Sequence, residues 1–328
     1  MFDAPTSYVL RHGESLAANL VAGQVVRTIA DTQTTAGGFG AVVLESTIDR
    51  GPIPLHYHER EHDTWLCTRG RLQIWFGNES RILTEGDFAY VQPGDVHAYQ
   101  CLSPRTQFFG IVAPGGWEGF FGAAGEAWAH PGLPEPGHPF DFSRMGPAMG
   151  KYGVMRQPDA TYAASSNGDA TDRTLPSGPA SYVLQQGYGA RVRAWGHLCT
   201  TLLPLTVSRN FLEMRVVEGV TGARTPRISH ARTHVFLYVI EGEIAVDLGG
   251  ERVTAHAGDA VNIPAATAYA TEVIKGHSRW VLSSAHGNGL EVWDRFGTKT
   301  EGFTAAPNPE TPMLAQDALA GIDATLQD

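Results

Sequence analysis

The strongest constraint on the fold of this 328-residue chain is that it repeats itself. The stretch TWLCTRGRLQIWFGNESRILTEGDFAYVQPGDVHAY, beginning at Thr64, and the stretch FLYVIEGEIAVDLGGERVTAHAGDAVNIPAATAYAT, beginning at Phe236, align at one offset of 172 without a gap. Gly70 then falls on Gly242, Gly86 on Gly258 and Asp87 on Asp259. The openings echo as well, SYVLRHG at 7–13 and SYVLQQG at 181–187. A chain of this length is long for one ordinary sandwich or barrel, and a duplication accounts for it as two domains of one kind.

Both copies consist of short runs of Val, Ile, Leu, Phe, Tyr and Trp punctuated by Gly, Asp, Asn and Glu about every 8 to 12 residues, the pattern of an antiparallel sandwich or jelly roll. GFGAVVLEST, THVFLYVIEG and EIAVDLGG read as strands. Helical periodicity is scarce: residues 117–130 give one candidate and 312–328 a weaker one. Residues 131–178 are rich in Pro, Gly, Ser and Asp, a linker composition, and a loop of that length is either a functional lid or an unstructured connection. The predicted organisation is an N-terminal domain at 1–130, a linker at 131–178, a C-terminal domain at 179–300 and a tail at 301–328.

Composition removes several classes of function. A net charge of −10 lacks the excess of Lys and Arg with which a broad surface holds phosphate backbones, so nucleic acid is not expected as a partner. No apolar run reaches membrane-span length and MFDAPTSYVL has no signal-peptide pattern, so a cytoplasmic protein without a membrane partner is expected. Cys67, Cys101 and Cys199 are far apart and form no CxxC, which indicates neither a disulfide framework nor a zinc finger. The Asn78-Glu79-Ser80 sequon is then idle. No glycine-rich nucleotide fingerprint is present.

The chemistry concentrates between residues 56 and 97. His56 and His58 are two apart, so on an extended strand both imidazoles leave one face and can converge on an ion. Asp63 follows, then Gly70, suited to a tight turn, then Gly86-Asp87 and His97. This order resembles the two-part cupin signature, and its recurrence at 172 resembles a bicupin. The resemblance implies an all-β protein of two tandem jelly-roll barrels with a few short helices. It also implies one divalent transition metal ion in the N-terminal barrel, held by His56, His58, His97 and the acidic residue. Imidazole and carboxylate suit Fe, Cu, Ni, Co or Mn and do not choose among them.

The chain departs from that signature in three places. Gly51 is one residue nearer His56 than the pattern asks, and Gln92 stands where a Pro is usual. Asp63 replaces Glu and is shorter by one methylene, about 1.5 Å of reach, which favours a place beside the ion over direct ligation. Glu61 and His62 flank it; His62 is an alternative ligand, but if Asp63 and Trp65 face inward His62 faces out. In the second copy the corresponding residues are Ile228, His230, Val235 and Tyr269, with His234 adjacent. One or two imidazoles do not anchor an ion, so the second barrel is expected to be structural.

Residues 23–40, 68–100, 110–121 and 181–189 resemble the quercetin 2,3-dioxygenases, particularly the fungal bicupin type. That resemblance implies a dioxygenase that cleaves the central ring of a flavonol with O2 and releases carbon monoxide, with Asp63 as the base. A cupin oxygenase for another aromatic enol or biosynthetic intermediate, or a non-catalytic bicupin that binds a small molecule, are the alternatives. Trp65 and Tyr99 share the inward alternation of Asp63 and His97 and are the candidate substrate contacts. Cys67, next in that alternation, reads as a buried small apolar residue. Trp117 and Phe120 read as core contacts closing a barrel end, and His130, His138, His197 and His277 as surface or core residues. Cupins commonly pair through their sheets, which implies a homodimer.

Overall fold

The computed structural model describes residues 5–46, 51–166, 169–305 and 315–327. Strands predominate, and the chain forms two compact units. One comprises Glu14–Thr32 and Phe39–Tyr188, the other Met1–Gly13, Gln33–Gly38 and Gly189–Asp328. Among the described residues no helix is long and apolar enough to cross a membrane.

The unit that contains His56 is built from two sheets. The larger has eight strands in the order Glu126–Ala127, Ala17–Val21, Gln24–Ala30, Gly40–Ser46, Gln107–Ala113, His62–Arg69, Phe88–Val91 and Tyr182–Leu184. The smaller has five, Met155–Arg156, His56–Tyr57, His97–Cys101, Leu72–Phe76 and Glu79–Leu83. Alternating side chains of both sheets meet in one core: Val26, Leu44, Trp65 and Cys67 from the larger pack with Leu72 and Ile74 from the smaller. The period-2 pattern of the sequence produces this two-layer arrangement, one face of each sheet being apolar.

In the other unit the strands form a single eleven-stranded sheet whose backbone is two long strands, His234–Leu248 and Tyr269–Ala285. At the offset of 172 these correspond to residues 62–76 and 97–113, each of which is broken into two strands in the first unit. The long strands turn the corner by slipping register between Val239 and Ile244. Gly242 sits in that corner at φ +79° and Gly70 in the matching turn at φ +81°. A Cβ at Gly242 would lie 2.3 Å from the His277 carbonyl oxygen, and one at Gly70 2.7 Å from Thr106 Oγ1, so both positions require glycine.

The echoed openings are strands that complete these units. Tyr8–Leu10 pairs with Ala260–Ile263 in the unit of residues 189–328, and Tyr182–Leu184 pairs with Phe88–Val91 in the unit of His56. Each opening thus joins the unit built largely by the opposite half of the sequence.

The helix read at 117–130 is only Gly119–Ala124, because Gly125 ends it and Glu126–Ala127 turns to strand. In the tail the described part of 312–328 is a 3₁₀ turn at Gln316–Leu319 followed by the strand Thr325–Leu326, while residues 312–314 and 328 lie outside the described residues. A single turn suffices there because Leu319, Ile322 and Ala324 are spent filling the core of their unit. Residues 131–178, read as linker, fold within the unit of His56: a 3₁₀ turn at Phe142–Arg144, the helix Met145–Lys151 and the strand Met155–Arg156. Polar anchors hold the segment down. Trp75 Nε1 donates to the Ala163 carbonyl at 2.9 Å, and buried Arg81 donates through Nε to both carboxylate oxygens of Asp172 at 2.9 and 3.0 Å.

Candidate metal centre

His56 and His97 are direct Cα partners across two antiparallel strands, and His58 follows His56 at the point where its strand ends. A backbone bond from Gly94 N–H to the His58 carbonyl, 2.7 Å, fixes that end against the turn preceding His97. The ring centroids lie 5.0 Å (56–58), 4.4 Å (56–97) and 5.3 Å (58–97) apart. All three residues are buried, and one nitrogen from each falls within 4.8 Å of the others, so the group can hold a metal ion.

The hydrogen bonding around these rings suits that use. His56 Nδ1 lies 2.8 Å from the Pro54 carbonyl and His97 Nδ1 2.9 Å from that of Asp95, which places the ring proton on Nδ1 and the lone pair on Nε2. His97 Nε2 and both nitrogens of His58 are buried with no hydrogen-bond partner among the described residues. Unsatisfied buried polar atoms cost about 1–3 kcal/mol each, a cost that a cation removes at His97 Nε2 and at one nitrogen of His58. Burial, followed by the neighbouring imidazoles, pushes His56 down to about 3 and His58 to about 2, so both rings are neutral, the form that ligates.

Asp63 lies outside the three-nitrogen group but beside it. Its Oδ2 is 3.8 Å from His58 Nε2 and 3.5 Å from His97 Nε2. Those separations are too long for hydrogen bonds and close to the roughly 3.4 Å between two atoms each about 2.1 Å from a tetrahedral ion. His62 leaves the other face of the strand, where Nδ1 is 2.7 Å from the Tyr90 hydroxyl. Glu61, half-buried and raised by that burial, is not on the cavity wall.

The His56 and His97 imidazoles open into a cavity of about 690 Å³, well within the size range of small-molecule sites. Trp65 and Tyr99 line it, and Tyr99 spends its hydroxyl on Gln24 Oε1 at 2.9 Å. Cys67 lies in the core cluster and not on the cavity wall, its thiol pushed up to about 12 by burial. Trp117 and Phe120, read from the sequence as core contacts, also line the cavity. Trp117 meets His58 edge-on at 4.9 Å and stacks on Phe120 at 5.0 Å. Glu118 fixes that loop: its two carboxylate oxygens accept from Thr32 N–H and Gly116 N–H, each at 2.7 Å. The sequence offered a signal here in the density of aromatics in WEGFF. It offered none for Phe142, Met145, Met149 and Arg156, which also face the cavity from within 131–178.

The matching place in the second unit is closed. His230 Nδ1 faces the Asp323 carbonyl at 2.5 Å and Nε2 the Tyr269 hydroxyl at 3.1 Å, while His234 Nε2 faces Asn262 Oδ1 at 2.8 Å. Ile228 is committed to the core, and Thr325–Leu326 pairs with Ile228–Ser229, as Met155–Arg156 pairs with His56–Tyr57 in the first unit. Histidines outside the cluster take structural places: His138 Nε2 is 3.1 Å from Glu126, and His277 lies 3.4 Å from Glu218 and 3.7 Å from Glu241.

Fold and cluster define the class of protein. Residues 47–107 and 215–279 each match the cupin domain family, and the chain is a bicupin of the cupin superfamily. Within it, the chain is 33% identical over 127 residues to quercetin 2,3-dioxygenase of Bacillus subtilis, covering 38% of this chain and 37% of that protein. It is 28% identical over 202 residues to quercetin 2,3-dioxygenase of Aspergillus japonicus, 57% of each. The chain thus spans roughly a third to just over half of the length of these relatives. Among solved structures, the Lactobacillus farciminis oxalate decarboxylase formate complex superposes with a TM-score of 0.55 at 12% identity, covering 87% of this chain and 88% of that one. Procruciferin, an 11S globulin of Brassica napus, does so at 0.56 and 10% identity, covering 86% and 85%. At these identities the likeness is one of fold.

Proposed function

We propose that this bicupin is a metal-dependent dioxygenase that opens the central ring of a flavonol such as quercetin, or of a closely related aromatic enol, with O2 and releases carbon monoxide. The observation that carries the reading is the junction of two features. Three buried imidazoles come together, those of His58 and His97 with ring nitrogens that have no hydrogen-bond partner among the described residues, and His56 and His97 lie on the wall of a cavity that is otherwise mainly apolar and aromatic. The kinship with quercetin 2,3-dioxygenases supports it.

His56, His58 and His97 would hold one divalent transition ion, with Asp63 at the edge of the group. Such an ion supplies charge stabilisation that lowers the pKa of a bound hydroxyl. The chain's own part is orientation, proton removal and exclusion of water. Trp65, Trp117 and Phe120 form the apolar wall against which a planar ring system lies, its enol oxygen toward the imidazoles. Asp63, with its carboxylate facing the same nitrogens, takes the enol proton. The resulting enolate is electron-rich enough to react with O2 without a second organic cofactor. Tyr99, whose hydroxyl burial raises well above its ordinary range, stays neutral and serves as wall.

The test is direct. Protein purified anaerobically and assayed for metal is mixed with quercetin and oxygen, with loss of flavonol absorbance and evolution of CO followed together. Stoichiometric CO is expected; its absence with every first-row divalent metal tried would exclude flavonol cleavage.

A further inference from the structure

Among the described residues, two ionisable charges apart from imidazoles line the cavity, Asp63 and Arg156. Asp63 has a place in the proposed reaction and Arg156 does not. Arg156 lies on the short strand Met155–Arg156 and is the direct Cα partner of His56. Directly opposed residues of an antiparallel pair project to the same face of the sheet. The Arg156 side chain therefore leaves the strand beside the His56 imidazole, on the cavity side. It is an exposed residue, and its guanidinium has no hydrogen bond or ion pair among the described residues.

Charge counting makes this position informative. Ligating imidazoles are neutral, so a divalent ion brings two positive charges to the cavity. Asp63 offsets one, and when it takes the enol proton that negative charge passes to the substrate, so the two supply one negative charge between them. The Arg156 guanidinium adds a further positive charge at the exposed side of the same cavity. It stays uncompensated unless the occupant brings a second negative charge. Guanidinium is also the group best shaped for a carboxylate, through two parallel N–H···O bonds.

We propose that Arg156 forms an anion subsite. The occupant of the cavity is then a planar aromatic molecule that carries a carboxylate, or an equally acidic oxyanion, in addition to the enol oxygen offered to the imidazoles. This rests on the reading of the cavity as a substrate site and narrows the substrate class within it.

The experiment compares 3-hydroxyflavone with its 4′- and 7-carboxylates by anaerobic calorimetric titration at low ionic strength, on wild-type protein, Arg156→Gln and Arg156→Lys of equal metal content. The wild type should bind one of the carboxylates about fivefold to tenfold tighter than the neutral parent, the size expected of one charge-assisted contact at a partly exposed position. Arg156→Gln should lose that preference, binding the carboxylates no more tightly than 3-hydroxyflavone, and Arg156→Lys should keep most of it. Retention of the preference in Arg156→Gln, or an equal loss of affinity for all three probes, would overturn the subsite. Wild-type binding of 3-hydroxyflavone with no preference for a carboxylate would overturn the subsite and leave the proposed function standing. Failure of the wild type to bind any of the three would overturn both.

Discussion

Replacing Asp63 with asparagine removes one negative charge and almost nothing else. The side chain is 11% exposed, and the residue is flanked in register by Val91 and Val112. Its closest charged partners are the Nε2 atoms of His97 and His58 at 3.5 and 3.8 Å, too far to be left as broken hydrogen bonds. Asparagine matches the shape and escapes the desolvation cost of a buried carboxylate, so the fold should change in stability by less than about 1 kcal/mol. Metal affinity should fall by about tenfold to a hundredfold, as it does when a group supporting a metal site is lost. Turnover should fall much further. A positioned general base is worth about 10²–10⁴ in rate, equivalent to about 3–5 kcal/mol of barrier. The assay is kcat for flavonol loss and CO release at saturating metal, with metal content and melting temperature measured on the same samples. A kcat within threefold of wild type at equal metal loading would refute Asp63 as the base. Complete loss of the ion would refute it also, by making the carboxylate an indispensable ligand.

Further outcomes follow from the same structure. Trp117→Ala, which strips the ring from the cavity wall, should raise KM for the aromatic substrate by roughly tenfold or more while Trp117→Phe stays near wild type, from the apolar area lost; steady-state kinetics decide. Leu319→Ala, in the core sealed by the tail, should cost about 2–5 kcal/mol in urea unfolding and leave the metal content of folded protein unchanged. Burial lowers His197 from 6.5 to about 4, so the unfolded chain binds the extra proton between those values. Stability should therefore be intact above about pH 6.5 and decline as pH falls toward 4, by at most about 3 kcal/mol, and His197→Gln should flatten that slope in denaturant titrations across pH.

How far the sequence reveals this molecule depends on the range of the interaction. His56, His58, Asp63, Trp65, His97 and Tyr99 were legible because alternation along a strand is local; the structure brings five of them to one cavity wall and sets His58 beside His56 and His97. The duplication was legible at the same level: the offset of 172 carries residues 62–76 onto the continuous strand His234–Leu248. Partnership between distant strands was not. The pattern of SYVL says strand, but only the folded chain shows Tyr8–Leu10 beside Ala260–Ile263 and Tyr182–Leu184 beside Phe88–Val91. Residues 131–178 were hidden for another reason. Their composition lacks periodicity, and what fixes them is a set of particular long-range bonds such as Arg81 to Asp172, so the arrival of Met145, Met149 and Arg156 at the cavity leaves no local trace.

The central claim is that one half of this duplicated chain holds an ion and the other does not. Elemental analysis of protein equilibrated with a first-row divalent metal and then desalted, on wild type, His97→Ala and His230→Ala, tests it most directly. The structure predicts one ion per chain in the wild type, none in His97→Ala and one in His230→Ala. Two ions per chain, an ion retained in His97→Ala, or one lost in His230→Ala would contradict it.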